Sequence, residues 1–93
     1  ATLSLARRAG SSTHMFYYTY VLRSKVDGKL YVGSTNDLRR RLKEHNNREE
    51  KSTKARAPFE LIYFEGCGDL AKARKREKYF KTGYGRRFLK NRI

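Results

Sequence analysis

Leu30-Tyr31-Val32-Gly33-Ser34-Thr35-Asn36-Asp37-Leu38-Arg39-Arg40-Arg41-Leu42-Lys43-Glu44-His45 passes from a short apolar strand through a polar break into a strongly basic helix. Gly33 to Asp37 supplies the break, and Thr35 or Asn36 is placed to cap the helix. At 100° per residue, Leu38 and Leu42 mark the helix's apolar stripe. Arg41 and His45 are four residues apart, about one turn, so their heads point the same way beside that stripe. Arg39, Arg40 and Lys43 point elsewhere and read as solvated charge. The three arginines are therefore not equivalent: Arg41 sits at the margin of the core, where a guanidinium is positioned rather than free.

Upstream, Phe16-Tyr17-Tyr18-Thr19-Tyr20-Val21-Leu22 is dense in aromatic and β-branched residues and predicts a strand. Alternation puts Tyr18, Tyr20 and Leu22 on one face and Tyr17, Thr19 and Val21 on the other. Asp27-Gly28 is a hairpin signal, so Leu30–Gly33 should return antiparallel beside the first strand, bringing Tyr20 close to Tyr31.

Downstream, residues 46–57 are polar and mixed in charge and read as a loop. Pro58 opens a third strand, Phe59 to Glu65. Gly66-Cys67-Gly68-Asp69 is a second break, Asp69 is a good cap, and a helix is expected from Leu70 to Thr82, stopped by Gly83. The tail from Tyr84 reads as a further short basic helix or extension. On the second helix Leu70, Ala73, Glu77 and Phe80 fall within roughly 80° of one another. Glu77 thus lies on the inward stripe of an otherwise basic helix. It is either the partner of Arg74 or Lys81, at i−3 and i+4, or a lone carboxylate anchoring a hard divalent cation. The order is β-β-α-β-α, an α+β domain with a small three-stranded antiparallel sheet flanked by helices.

The chain holds 23 lysines and arginines against 9 acids, a net charge of +14 over 93 residues. That imbalance points to a polyanionic partner, nucleic acid first, because each neutralised phosphate releases counterions. No apolar run approaches membrane length, so a membrane partner is not expected. One cysteine, Cys67, allows no internal disulfide and suits a reducing, cytoplasmic setting. Residues 1–14 are small, polar and acid-free, unlike the rest, and read as an expression leader ending at His14-Met15 or as a transit-like, disordered segment. Residues 15–93 then form a single domain.

With two strand tyrosines, an edge arginine, a histidine one turn on and an inward glutamate, the chain resembles the GIY-YIG endonuclease superfamily. Tyr31-Val32-Gly33 matches the second motif of that name closely. Tyr18-Thr19-Tyr20 keeps only the closing tyrosine of the first, whose Gly-Ile supplies no reacting group. The resemblance covers about residues 16–92 and is nearest to small bacterial members, which are similar to the nuclease domain of the excision-repair incision enzyme and to intron homing endonucleases. It implies a DNA endonuclease and a place in DNA repair. Tyr20, Tyr31, Arg41 and His45 would be catalytic, and Glu77 would hold one Mg²⁺ or Mn²⁺ ion. Arg39, Arg40, Lys43, Arg74, Lys78 and Lys81 would contact flanking backbone without reading bases. A late asparagine that steadies the site in several members has one candidate here, Asn91. Room for only one domain implies little intrinsic sequence specificity, unless a partner protein supplies targeting. The competing expectation is a basic module that binds DNA, or RNA on a ribosome, without chemistry.

Overall fold

The computed structural model describes residues 16–93; the boundary expected near residue 14 lies outside them. Three strands, β1 (Tyr17–Ser24), β2 (Leu30–Thr35) and β3 (Phe59–Cys67), form one antiparallel sheet in the order β2-β1-β3. Three α-helices among the described residues, α1 (Leu38–Asn46), α2 (Leu70–Phe80) and α3 (Gly83–Lys90), flank the sheet. Among the described residues no helix is long and apolar enough to cross a membrane.

The central strand β1 is covered on both faces, which explains its nearly continuous apolar run. One face packs Tyr20 and Leu22 with Phe59, Leu61, Tyr31 and the α1 leucines Leu38 and Leu42. The other packs Val21 and Val32 against Phe80 of α2 and Leu89 and Phe88 of α3. A register irregularity opposite Val21 and Leu22 lets β3 serve both layers: Phe59 and Leu61 join the first, while the consecutive Ile62 and Tyr63 join the second. The β1–β2 turn forms at Asp27-Gly28 as expected, with Gly28 at φ +72°, a conformation glycine adopts without cost. It places Tyr20 opposite Gly33 and Leu22 opposite Tyr31.

Four expected boundaries differ. The cap of α1 is Asp37, whose carboxylate accepts from the Arg40 N–H at 3.0 Å; Thr35 is still paired to Tyr18 in β2 and takes the Asp37 N–H instead. Gly66 and Cys67 remain in β3, opposite Tyr18 and Tyr17, so the second break is only Gly68-Asp69. The 47–57 segment contains a 3₁₀ turn, Lys54–Arg56, and Asn46 ties its far end down through both backbone polar groups of Phe59. Finally, α2 ends at Phe80, and Gly83 opens α3 rather than terminating α2, because Thr82 caps the new helix by accepting the Gly85 N–H. The order is therefore β-β-α-β-α-α. Asp69 caps α2 as expected, accepting from Ala71 and Lys72.

Candidate active site

Tyr20 of β1 is the hub. It is 2% exposed, and its ring lies across Gly33, where a methyl group would come within 2.5 Å of the phenol oxygen. The glycine of Tyr31-Val32-Gly33 is thus what allows Tyr20 to reach α1. There its hydroxyl lies 3.0 Å from His45 Nε2 and receives the Arg41 Nε–H at 3.4 Å. Tyr31, half-buried, sets its ring 5.0 Å from His45 and 6.3 Å from Tyr20. Helical phase and hairpin register therefore deliver Tyr20, Tyr31, Arg41 and His45 to one place.

The 47–57 segment completes this cluster. Its Thr53 hydroxyl lies 2.8 Å from His45 Nδ1, and its Glu50 carboxylate accepts from Arg41 at 2.7 Å. Glu44, one turn along α1, accepts from Arg41 at 2.9 Å. The Arg41 guanidinium is thereby spread over a phenol and two carboxylates. Burial works against its charge, but the bonds to Glu50, Tyr20 and Glu44 hold it above the usual arginine range. Arg41 in turn holds the Glu50 carboxyl below its ordinary value. Burial pushes the Tyr20 phenol up to about 12, against the opposing hydrogen bond from Arg41. Burial, aided by the Arg41 charge, lowers the His45 imidazole from its ordinary 6.5, while Glu50 and Glu44 pull the other way. At neutral pH the site holds a neutral phenol and a neutral imidazole.

The His45 shift has a consequence for stability. The folded protein resists protonation at a pH where the unfolded chain accepts it, so acid favours unfolding. Stability should hold above the unfolded value of 6.5 and decline as pH falls below it. Urea midpoints taken at about pH 7.5 and 5.5 should show this drop. The drop should shrink in His45→Gln, and an equal drop in that variant would assign the effect to other groups.

Beside the cluster, a cleft of about 290 Å³ opens at the end of β2, between α1 and α2. Arg40, Arg41 and Glu44 line it from α1, Ser34 and Asn36 from the strand end, and Arg74 from α2. Glu77 stands on the opposite face of the sheet from Tyr20. Its neighbour Ser34 pairs with Thr19, and Thr19 bonds the Ala73 carbonyl of α2. Ser34 donates to Glu77 Oε1 at 2.8 Å, and Lys81 donates to Oε2 at 2.9 Å. Glu77 is not among the residues that line the cleft; it touches Ser34, which is. The ion pair to Lys81 is the i+4 alternative read from the sequence, with the serine contact added to it. At 24% exposure the Glu77 side chain keeps access to solvent. One partly exposed carboxylate suits Mg²⁺, which retains several waters and binds substrate phosphate, and does not suit zinc.

The expected backbone-contacting cations divide. Arg40 and Arg74 line the cleft, although Arg40 also pairs with Glu44 at 3.5 Å. Arg74 and Lys78 line a shallow depression on α2, together with Lys75. Arg39 and Lys43 are exposed on α1, and Lys81 is committed to Glu77. Asn91 caps the C-terminus of α3 and is exposed. Four site residues were not anticipated: Ser34, Glu44, Glu50 and Thr53. Glu44 was findable as the i+3 partner of Arg41. Glu50 and Thr53 lie in a segment without periodicity, and no pattern marks them.

A family model described as the GIY-YIG catalytic domain matches residues 16–91. The UPF0213 protein of Bacillus pumilus is 46% identical over 67 residues, covering 71% of this chain and 67% of that one. The UPF0213 protein of Clostridium perfringens is 45% identical over 65 residues, 69% of each. The solution NMR structure of the UPF0213 protein of Bacillus halodurans is similar with a TM-score of 0.51 and 31% identity, covering 83% of this chain and 84% of that one.

Proposed function

The chain belongs to the GIY-YIG catalytic-domain family, and from that premise we propose that it is a metal-dependent endonuclease hydrolysing DNA phosphodiester bonds with little intrinsic sequence specificity. The observation that carries this reading is the Arg41–Tyr20–His45 chain of contacts, which presents a positioned guanidinium at the wall of a cationic cleft. Arg41 binds the scissile phosphate and stabilises the charge that builds on it, exchanging its carboxylate partners for phosphate oxygens. Tyr20 is too deeply buried, and too weak an acid, to meet a water. It positions Arg41 and His45. Tyr31 is the phenol left to orient the attacking water in line with the leaving oxygen. Glu77 would hold the divalent ion, with Ser34 and Lys81 fixing its carboxylate; such an ion supplies stabilisation of the leaving 3′-oxygen. Arg40 and Arg74 continue the cleft as phosphate contacts. RNA is the second candidate substrate, a partner protein would supply targeting, and a free Cys67 thiol accords with a cytoplasmic setting.

The test is nicking of single- and double-stranded DNA, and of RNA, with Mg²⁺ or Mn²⁺ and with EDTA. Wild-type protein should cut with metal, and cleavage should fall by at least about 10²-fold in EDTA and in Glu77→Ala while DNA binding persists. Wild-type protein that binds DNA and never cuts it would instead be a non-catalytic basic module. Salt sensitivity of binding cannot separate the two, since counterion release governs both.

A further inference from the structure

We propose that Thr53 is a positioning residue of this site: its hydroxyl dictates which nitrogen of His45 carries the proton, and so aims the Tyr20 hydroxyl and the Arg41 guanidinium. The kinetic part of this inference rests on the nuclease reading; the protonation part does not.

Proton accounting leads to it. Among the described residues the Tyr20 hydroxyl has two hydrogen-bond partners, Arg41 Nε and His45 Nε2. Arg41 can only donate. If His45 Nε2 also carried a proton, the Tyr20 oxygen would face two donors and its own proton would have no acceptor, in a nearly fully buried position. Tyr20 therefore donates to a bare Nε2, and the neutral imidazole carries its proton on Nδ1. That Nδ1–H needs an acceptor in a fully buried place. Thr53 Oγ1 provides it at 2.8 Å, and the threonine's own proton points to the Glu50 carbonyl at 3.5 Å. The order of donation is Thr53 to Glu50, His45 to Thr53, Tyr20 to His45 and Arg41 to Tyr20.

The placement of Thr53 supports the same conclusion independently. Its neighbours Lys51, Ser52, Lys54 and Ala55 are exposed, whereas Thr53 is fully buried. It stands at the N-cap of the 3₁₀ turn, where a threonine hydroxyl ordinarily accepts a backbone N–H, yet it makes no capping bond there. The hydroxyl is given up by the turn and supplied to His45. Glu50, three residues earlier, places its carboxylate on Arg41. One exposed segment thus grips both active groups of α1 at once.

The imidazole tautomer of His45 can be read directly from long-range ¹H–¹⁵N correlation spectra, with His45 assigned by the loss of its signals in His45→Gln. Wild-type protein at about pH 7.5 should show the Nδ1–H form as the dominant species. Thr53→Val keeps shape and removes the acceptor, so that dominance should be lost; Thr53→Ser should restore it. Under turnover, Thr53→Val should lower kcat about 10-fold with KM for DNA little changed, and Thr53→Ser should recover most of it. A dominant Nε2–H tautomer in wild-type protein overturns the proposal. So does Thr53→Val with an unchanged tautomer. Should Thr53→Val fail to fold, the wild-type and Thr53→Ser spectra still decide. A wild-type protein without nuclease activity would remove the functional reading while leaving the tautomer result to stand or fall alone.

Discussion

Arg41→Ala is expected to reduce DNA cleavage by about 10³-fold while leaving a folded, DNA-binding protein. The size of the effect follows from what the guanidinium touches. Among the described residues it is the one cation fixed simultaneously by the buried Tyr20 hydroxyl and by two carboxylates, at the wall of the cleft. A phosphate that displaces the two carboxylates finds a planar fork whose Nε–H stays on Tyr20, and donors held in orientation contribute most to transition-state stabilisation. Arg41→Lys is the sharper variant. It keeps the positive charge but has no fork, so it cannot hold Tyr20 and a phosphate together, and cleavage should remain about 10²-fold down. Stability should suffer little in either case. Of the partners left behind, Glu44 and Glu50 each have side chains about 30% exposed and can be hydrated instead, and the buried Tyr20 hydroxyl keeps His45. Plasmid nicking under single-turnover conditions, with DNA retention measured in parallel, checks this. Wild-type rates in Arg41→Lys would mean the residue contributes only charge, and the role assigned to its geometry would be wrong.

How far this site could be read from the sequence depends on the regularity of what carries each residue. Arg41 and His45 lie on one helix, and Tyr20 and Tyr31 on strands joined by one turn. For these, the two backbone periods and the Asp27-Gly28 turn sufficed to bring the four side chains together. Glu77 was legible as an inward carboxylate, yet its contact with Ser34 was not. Ser34 lies on an edge strand, and the contact depends on which strand is the outer one, which spacing does not encode. Glu50 and Thr53 were illegible for a stricter reason. Their segment has no repeating pattern, and its path is set by a side-chain clamp, Asn46 on Phe59, that closes a long-range contact. The misplaced helix stop at Gly83 has a local cause. Glycine is common just past a helix end, and only the Thr82 hydroxyl on the Gly85 N–H reveals that a new helix begins there.

That same junction holds the largest expected effect on stability. Gly85→Ala should cost more than about 3 kcal/mol, beyond the usual range for an overpacked site. A β-carbon at position 85 would lie 1.9 Å from the Tyr79 carbonyl oxygen, 2.6 Å from its carbon and 2.7 Å from the Phe80 α-carbon. All three are backbone atoms of α2, so no change of rotamer relieves the clash. The remaining response is for α3 to move off α2, which withdraws Leu89 and Phe88 from Phe80 and opens the layer that covers Val21 and Val32. A domain of this size has only about 5–10 kcal/mol in total, so the melting temperature should fall by roughly 12–24 °C. Gly83→Ala is the matched control: its β-carbon meets nothing within 4 Å, and the added helix propensity should leave stability equal or slightly raised. The two apolar clusters make the damage directional. Tyr20, Tyr31, Leu38 and Leu42 pack on the α1 side, whereas Glu77 rides on α2. Well below its melting point, Gly85→Ala should keep the His45 imidazole signals of the wild type while the amides of α3 and of α2 near Phe80 exchange faster with solvent. Equal loss of protection in α1 would show that the two layers unfold as one unit.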